Sequence, residues 1–465
     1  MDGISKRLPI AWRANRVCVM KARPNILLIM TDQQSASALG CAGNTDLKTP
    51  VIDRLAGRGV RFNRAYCPFP LCTPARGSLF SGLMPHQCGT MRNGQEIEPP
   101  YRAREMGTLL SAAGYHCAYG GKWHVAPIAM PAENDHGFEV IAGFNDQVLA
   151  DACNGFFRRQ RKADQPFFLV ASFDNPHNIC EFGRHMPLPW ARLPAPPPTD
   201  QMPNLPSNFD IPAFAPEIIR TEQELNYPVY PTLNGSPDEW RRLRWGYFRL
   251  VEWVDRQIGR VLDSLRRAGL EQDTVVIFTS DHGDGHGAHR CNQKSVLYEE
   301  IIRVPLIVHD PAGVCGKVSP SLVNNALDVY ATVLDYAGVK APLAMPGCSL
   351  RAPAAGRRPV RQRDRVFVET SFDWAQRGYG TTGRSVIEDR YKYTVYDKGL
   401  YRECLVDLER DPGEMVNLAV EARYAGRVRQ FRRRLQQWVV STHDGFRVPG
   451  YADGHAGRPA WQVKP

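Results

Sequence analysis

The sequence predicts an α/β protein with a large, mainly parallel β-sheet sandwiched by helices, followed by a smaller C-terminal α+β subdomain. Three observations predict it: short apolar runs alternate with helical segments, several of these runs end abruptly in polar residues, and short strands follow one another closely after Gly347. We therefore divide the chain into a basic leader (1–23), a main α/β domain (24–350) and a C-terminal subdomain (351–465) with a small antiparallel sheet and a closing helix.

The first strand is predicted over residues 25–30, an apolar run that ends in Thr31-Asp32-Gln33-Gln34. Parallel α/β sheets keep their sites at the carboxyl ends of their strands, which makes Asp32 a candidate site residue. The alternative is that Asp32 only caps a helix or a turn, the commoner role for such an aspartate. Residues 49–59 follow as a capped helix, and residues 60–66 lead into the next loop.

That next loop, residues 70–78, places Cys72, Pro74 and Arg76 within five residues of one another. Pro74 fixes its own φ and lacks an N–H, which predicts that Cys72 lies at the end of a loop with a helix beginning just beyond it. A nucleophile there faces the positive end of the helix. From these residues alone, Cys72 is equally well explained as one more buried cysteine.

Three further strands are predicted to end in polar residues as the first does. They are 115–119, which leads into Gly120-Gly121-Lys122-Trp123-His124; 167–173, which leads into Asp174-Asn175-Pro176-His177; and 274–279, which leads into Ser280-Asp281-His282-Gly283. A loop rich in glycine and histidine, containing His289 and Arg290, follows, and then Lys294. A single Lys or His at a strand end is usually an exposed residue without a role in a site. Its repetition predicts that these side chains gather at one edge of the sheet.

Helices separate and cover these strands. Residues 106–113 form one, and Ser236 with Pro237 and Glu239 gives the strongest start signal, a capping box with a first-turn proline. The proline-rich stretch 187–237 before it is too long for a simple connection and is predicted to cover the site. The remaining predicted elements are a helix at 298–300, strands at 303–308, 365–369, 383–387 and 391–395, and a closing helix at 422–440.

The formal net charge of +10 favours an anionic partner. Much of the excess lies in two basic runs, residues 357–363 and 427–434, which are more simply explained as a loop and a solvated helix face. Nucleic acid is not an expected partner, because no zinc-finger spacing or aromatic-rich RNA motif accompanies them. The 12 cysteines include no C-x-x-C pair, which argues against a disulfide scaffold and a structural zinc site.

No membrane partner is expected, because no apolar run approaches the length of a bilayer span. The leader is basic but holds no apolar segment long enough for a signal peptide, which predicts a cytoplasmic protein. A misassigned start codon would change that prediction to a periplasmic or secreted protein. An oligomer is compatible with the sequence.

Together the strand ends describe a metal-assisted site for an anionic ester. Carboxylates with an imidazole suit a hard divalent cation such as Ca²⁺, Mg²⁺ or Mn²⁺. The surrounding Lys, Arg and His side chains suit an anion with two or more negative oxygens. The residues alone leave a sulfate ester and a phosphate ester equally open.

The motifs in their order resemble the sulfatase branch of the alkaline phosphatase superfamily across roughly residues 24–440. The motifs that carry the resemblance are the apolar strand into Asp32, C-T-P-A-R at 72–76, G-K-W-H at 121–124, P-H at 176–177, S-D-H-G at 280–283, K-x-x-x-Y-E at 294–299, R-V-P-L-I at 303–307 and D-L-x-x-D-P-x-E-x-x-N-L at 407–418. C-T-P-A-R looks like the C-x-P-x-R motif of the type I sulfatases, in which the cysteine is oxidised to formylglycine. The resemblance implies the fold of that superfamily, with residues 24–350 as the catalytic domain.

Carried over residue by residue, the resemblance implies one divalent cation, most often Ca²⁺, held by Asp32, Asp281, His282 and the modified Cys72. Cys72, as formylglycine hydrate, would supply the nucleophilic oxygen, and the metal with Arg76 would activate and position it. Maturation implies a formylglycine-generating enzyme as a partner.

The same resemblance implies that Lys122, Lys294 and His177 bind the sulfate and neutralise charge on the leaving oxygen. His124 would take the proton from the second hydroxyl of the hydrate, so that the aldehyde re-forms and sulfate departs.

Three positions depart from the family pattern. Many sulfatases carry a second aspartate where this chain has Gln33, an asparagine where it has His282, and a serine where it has Gly77. The Asp-His-Gly form also occurs in choline sulfatases and phosphonate monoester hydrolases. Gln33 leaves the identity of the metal open, and Gly77 leaves open whether Cys72 is modified.

Three hypotheses of function follow. The first is hydrolysis of a sulfate ester on an anionic glycan fragment such as a sulfated uronate or hexosamine, with His289 and Arg290 among the substrate-binding residues. The second is a phosphodiesterase or phosphonate monoester hydrolase that uses the same site. The third is a non-catalytic protein that binds sulfated glycan and keeps an unmodified Cys72.

Overall fold

The computed structural model describes residues 23–225, 232–340, 345–372 and 380–451. The predicted basic leader, apart from Arg23, lies outside the described residues. The described strands are β1 (Asn25–Asp32), β2 (Val60–Tyr66), β3 (His116–Gly121), β4 (Glu139–Ala142), β5 (Phe167–Pro176), β6 (Thr274–Ser280), β7 (Leu306–His309), β8 (Lys317–Asn324), β9 (Arg365–Ser371), β10 (Thr382–Glu388), β11 (Tyr391–Tyr396) and β12 (Glu403–Asp407).

The described α-helices are α1 (Pro50–Gly57), α2 (Cys72–Ser81), α3 (Pro85–Cys88), α4 (Pro99–Arg102), α5 (Met106–Ala112), α6 (Asp146–Gln160), α7 (Ile179–Gly183), α8 (Glu217–Leu225), α9 (Pro237–Arg267), α10 (Glu299–Ile302), α11 (Asn325–Ala337), α12 (Arg351–Ala354) and α13 (Ala425–Thr442). Single 3-10 turns lie at Gly40–Ala42, Thr199–Gln201, Glu271–Asp273, Ala288–Arg290, Leu418–Val420 and Ala422–Tyr424. None of the helices in the described ranges combines the length and the apolar composition that a bilayer crossing requires.

The main sheet has eight strands in the order β4-β3-β5-β1-β6-β7-β2-β8, and only β7 runs antiparallel to its neighbours. Strand β1 lies in the centre, where Ile26 pairs with Phe168 of β5 on one side and with Val275 of β6 on the other. The prediction of a large, mainly parallel sheet is confirmed.

Both faces of this sheet are covered because side chains along a strand alternate between its faces. Along β1, Ile26 and Leu28 enter one apolar core, whereas Leu27 and Ile29 enter another. The long helix α9 packs its apolar stripe into the second core, and α11 packs into the first. At the start of α9, Ser236 accepts from the backbone N–H of Glu239 and completes the predicted capping box.

The second sheet is antiparallel, with four strands in the order β12-β11-β10-β9. Helix α13 closes it by burying Phe431 and Leu435 against Tyr393 and its apolar neighbours. This antiparallel sheet and closing helix match the elements predicted for the C-terminal part of the chain.

Candidate active site

Four adjacent strands of the main sheet deliver the predicted site residues to one edge. Strands β3, β5, β1 and β6 are consecutive neighbours and run parallel, so their carboxyl ends lie side by side. The residues that follow or close them are Lys122 with His124 after β3, His177 after β5, Asp32 at the end of β1, and Asp281 with His282 after β6. The residues that the sequence pattern selected at four strand ends therefore lie at the same edge of one sheet.

Cys72 reaches this edge from α2, of which it is the first residue. It begins the helix, whereas the sequence predicted a loop position just before the helix. Its side chain is fully buried, and its Sγ lies 3.3 Å from Nε2 of His282 and 3.6 Å from Oδ1 of Asp32. The thiol therefore lies both at a helix N-terminus and between two of the predicted metal ligands.

Arg76 follows Cys72 by one helical turn and joins the two buried aspartates. Its Nη2 donates to Asp32 at 3.2 Å and its Nε to Asp281 at 2.9 Å, while Nη1 donates to the carbonyl of Lys122 and to Ser172. The guanidinium is completely buried. Arg76 thus fixes the carboxylates that face Cys72.

The four predicted metal ligands form one compact group. Within it, one side-chain donor atom from each of Asp32, Cys72, Asp281 and His282 lies within 4.8 Å of the others, and all four residues are buried. His282 directs Nε2 at the group because its Nδ1 lies 2.9 Å from the Gly283 carbonyl, where it donates. Two carboxylate groups and an imidazole nitrogen suit a hard divalent cation.

Two buried lysines border this group. Lys122 Nζ lies 2.9 Å from Asp32 and 2.9 Å from Asp174. Lys294 Nζ lies 3.2 Å from Cys72 Sγ and 2.9 Å from Oε1 of Gln33. Both ammonium groups therefore lie beside the thiol or its carboxylate neighbour, where they can stabilise anionic oxygens.

The two histidines predicted to act on the substrate differ in their surroundings. His177 lies 3.8 Å from Asp174 and 3.9 Å from the Cys180 thiol. His124 has a left-handed backbone (φ 57°), and its buried Nδ1 has no hydrogen-bond partner among the described residues. Its side chain also interacts with Cys72. His124 is therefore placed to exchange a proton with the group at position 72.

The pKa values of these groups are shifted because several charged groups are buried close together. Burial and Asp32 act to raise the pKa of the Cys72 thiol, but Lys294, Lys122 and His282 outweigh them and lower it well below its ordinary value. Burial and Asp32 raise the pKa of Asp281 to about 6. Burial lowers the pKa of His124, which keeps its imidazole neutral. A bound cation would relieve the repulsion between the two aspartates.

His289 and Arg290 lie in a turn whose ring contacts are with Tyr298 and Phe209. The ring of His289 stacks on Tyr298 with centroids 3.9 Å apart, and Arg290 lies over the ring of Phe209. Within the described ranges, neither residue makes a hydrogen bond or ion pair with Cys72 or Lys294. Their predicted contact with substrate stays a prediction.

Sequence reasoning missed the residues that support this group. They are Ser172 and Asp174 of β5, which contact Arg76 and Lys122; Asp284, which accepts from Gln33; and Cys180, whose thiol lies 3.0 Å from Gln293. The strand-end rule that selected His177 could have selected Asp174 as well, because Asp174 lies in the last residues of β5. Nothing in the sequence pattern distinguished Asp284.

Family models match most of the described chain. The model described as "Sulfatase" matches residues 24–339, more than half of the sequence. The model described as "N-sulphoglucosamine sulphohydrolase, C-terminal" matches residues 287–441.

Individual proteins are similar over almost the whole length. Delta 4,5-hexuronate-2-O-sulfatase of Bacteroides thetaiotaomicron is 30% identical over 447 residues, which cover 91% of this chain and 90% of the relative. The solved structure of a 2-O GAG sulfatase superposes with a TM-score of 0.80 at 28% identity, covering 91% of this chain and 93% of the other. The phosphonate monoester hydrolase of Agrobacterium radiobacter shares the fold, with a TM-score of 0.71 at 22% identity, covering 90% of this chain and 96% of the other.

Proposed function

The chain belongs to the sulfatase family of the alkaline phosphatase superfamily and is a sulfuric ester hydrolase, and from this premise we propose that it removes sulfate from a glycosaminoglycan-type saccharide. The reaction converts a sulfate ester and water into the free alcohol, inorganic sulfate and a proton. The observation that carries the proposal is the environment of Cys72, whose Sγ lies 3.2 to 3.6 Å from Lys294, His282 and Asp32.

The proposed cofactor is one divalent cation, Ca²⁺ in the first place, with Mg²⁺ or Mn²⁺ as alternatives. Asp32, Asp281, His282 and the side chain at position 72 would hold it, because their donor atoms already lie within 4.8 Å of one another. When bound, the cation supplies Lewis-acid stabilisation of the nucleophile and of sulfate oxygens. Arg76 would keep both carboxylates in place through its two ion pairs.

Cys72 is proposed to be converted to formylglycine by a formylglycine-generating enzyme, which gives a hydrate with two hydroxyls. Lys122 and Lys294 would neutralise the sulfate oxygens, since both ammonium groups lie beside the group at position 72 or its Asp32 neighbour. His177 would donate a proton toward the leaving oxygen, because, although burial acts to lower its pKa, Cys180 and Asp174 outweigh burial and raise the pKa well above the ordinary value. His124 would take a proton at position 72, because its imidazole is neutral.

The substrate class is proposed from the net charge of +10 and from the relatives. A relative that is 30% identical is named as a hexuronate 2-O-sulfatase, and a superposing structure is titled as a 2-O GAG sulfatase. A 2-O-sulfated unsaturated hexuronate is therefore the first saccharide to test, followed by sulfated hexosamines.

The experiment begins with mass spectrometry of the peptide that contains residue 72, from protein produced with a formylglycine-generating enzyme. Modified protein is then incubated with sulfated mono- and disaccharides, and the released sulfate is measured. Release by the modified protein, and none by Cys72→Ala, supports the proposal. No release from any saccharide by protein with verified formylglycine would contradict it.

Two further measurements test the alternatives. An aryl phosphate diester turned over faster than the matched aryl sulfate would favour the phosphodiesterase hypothesis. An intact thiol in protein from the native host, with tight retention of sulfated ligand, would favour the binding protein.

A further inference from the structure

A groove of about 740 Å³ lies between the main domain and the C-terminal sheet. The residues of its wall used below are Arg361, Arg363, Arg365, Phe367, Arg434 and Trp438. We call it the basic groove. It brings together the two basic runs of the sequence, 357–363 and 427–434, which the proposed catalytic site does not use.

One carboxylate connects Arg434 of the second run to Arg365, which lies just after the first run. Glu388 of β10 lies 3.5 Å from Arg365, which begins β9, and 2.5 Å from Arg434 of α13. Strands β9 and β10 are antiparallel neighbours, with Arg365 paired to Glu388. Helix α13 packs on the same sheet, so arginines about 70 residues apart in sequence meet at one glutamate.

The groove keeps a positive charge after its internal ion pairs are counted. Arg363 is held by Asp328, and Arg365 also pairs with Asp364. Arg361 is exposed, its guanidinium donates to the Met345 carbonyl, and it makes no ion pair within the described part of the chain. The groove wall thus has four guanidinium groups and three carboxylates paired with them. Within the described residues, Arg361 is the guanidinium that has no carboxylate partner.

Two aromatic rings give the groove wall an apolar part. Phe367 and Trp438 stack there with ring centroids 4.6 Å apart and an interplanar angle of 9°. Both rings are half-buried, and Gln87 and Gln437 also line the groove. Apolar rings suit the C–H faces of sugar rings, amides suit their hydroxyls, and guanidinium groups suit planar or tetrahedral anions.

The basic groove is separate from the proposed catalytic site. Cys72 begins α2, whereas Met84 and Gln87 of the groove wall follow the opposite end of that helix. A helix of 10 residues is roughly 15 Å long. A ligand in the groove would therefore leave the space beside Cys72 free for a sulfate ester.

We propose that the basic groove is an accessory binding site for a sulfated polysaccharide chain, and that it anchors the enzyme on polymeric substrate. The proposal rests on the proposed function for the class of polymer. Binding in the groove requires no formylglycine, no catalytic cation and no turnover, so it is measured independently of the reaction.

The experiment uses the full chain and titrates size-defined heparin oligosaccharides by calorimetry at several salt concentrations. The test variant is Arg361→Glu with Arg434→Gln. The control is Arg429→Glu with Arg433→Gln, which makes the same charge change at exposed positions of α13 outside the groove wall. We expect the test variant to bind long oligosaccharides about tenfold more weakly, because two charge-assisted contacts are lost. We expect the control to bind within about twofold of the parent, since exposed charges contribute little each.

Turnover of a short sulfated substrate separates this proposal from the proposed function. We expect the test variant to keep its rate on a sulfated disaccharide and to lose rate only on polymer at low concentration. Equal weakening in both variants would mean diffuse attraction to a basic surface and would overturn the proposal. It would also be overturned by double-stranded DNA binding the groove as tightly as the oligosaccharide, or by dimers that the test variant alone converts to monomers. A thermal melt of each variant verifies folding.

Discussion

The side-chain amide of Gln33 donates from Nε2 to Oδ2 of Asp284 at 2.6 Å. This contact fixes which way the amide points, because the opposite atom, Oε1, then accepts from Lys294 at 2.9 Å. Asp284 is held in turn by the backbone N–H groups of His286 and Gln293. Asp284, which does not contact Cys72, therefore orients the amide oxygen of Gln33. Gln33 is the residue that follows Asp32 in the sequence.

Replacing Asp284 by asparagine should disturb this orientation. One oxygen of the asparagine can still accept from His286, but its amide then faces two donors, and a buried donor without an acceptor costs roughly 1–3 kcal/mol. We expect weaker binding of Ca²⁺ to the protein by calorimetry and slower sulfate release. The free energy of unfolding in urea should fall by the same order.

A double-mutant cycle separates positioning from general damage. If Asp284 acts through Gln33, then Asp284→Asn should change Ca²⁺ affinity much less in a Gln33→Ala background than in the parent. Additive losses would show that Asp284 affects the metal by another route.

Gly77 gives a second prediction, because a side chain there has no room. A Cβ at this position would lie 2.3 Å from Oγ1 of Thr90. Gly77→Ala, or the serine found in many sulfatases, should lower the free energy of unfolding by roughly 1–3 kcal/mol. It should also reduce activity, since Arg76 precedes Gly77 in α2.

The matched control is Gly155, which also lies inside a helix but has no atom within 4 Å of an added Cβ. Gly155→Ala should stabilise the protein by roughly 0.5–1 kcal/mol. Adding Thr90→Ala to Gly77→Ala should restore part of the loss. Equal effects at both glycines in urea unfolding would contradict the steric explanation.

The sequence predicted the central strands because strands buried on both faces are continuous apolar runs. Strand β1, predicted over 25–30, extends over Asn25–Asp32. Strand β8 was missed because Lys317 and Val318 at its start are exposed and Pro320 interrupts it, which is typical of the sheet edge where it lies. Helix α6 was missed because its apolar residues are mixed with Asp, Asn and Gly155.

The sequence pattern predicted most of the residues that the structure brings together around Cys72, but not His289 and Arg290 as neighbours of other groups, and not the residues that support the cluster. Strand ends identify residues such as Asp32 and Asp281 without reference to their partners, since parallel strands end at one edge. Ser172 and Asp284 support that group through contacts between segments far apart in sequence, and no local pattern encodes such contacts. The proline-rich stretch contains α8, whose apolar stripe is too short to stand out there.

Arg76→Lys is a third test, because lysine has one nitrogen where arginine bridges two carboxylates. Asp32 keeps its ion pair with Lys122, so the loss of the guanidinium from Asp281 is expected to cost more, about 3–5 kcal/mol of unfolding free energy. The displaced aspartate should reduce the rate of sulfate release about 100-fold, as misplacement by about 1 Å can do. Urea unfolding and sulfate release measure the two effects. Unchanged kinetics in a destabilised variant would show that Arg76 is structural only.

His86 of α3 joins its helix to β9 of the antiparallel sheet and to the end of α13, and it should make stability depend on pH. Its Nδ1 lies 2.6 Å from Glu369 of β9, and its Nε2 lies 3.1 Å from the Thr442 carbonyl at the end of α13. Burial acts to lower the pKa of His86, but Glu369 outweighs it and raises the pKa above the ordinary 6.5. The charged imidazolium therefore stabilises the folded protein.

Because the pKa is raised on folding, the stabilisation by His86 is complete below about pH 6.5, where an unfolded histidine is protonated. It is lost as the pH rises through the higher folded pKa. We expect the free energy of unfolding in urea to fall over that interval in the parent and to change less in His86→Gln, which keeps a donor to Glu369. His185 is a suitable control, because it lies just after α7 and its ring contacts the guanidinium of Arg242. If His185→Gln flattens the pH profile as much as His86→Gln does, the ion pair between His86 and Glu369 is not the cause.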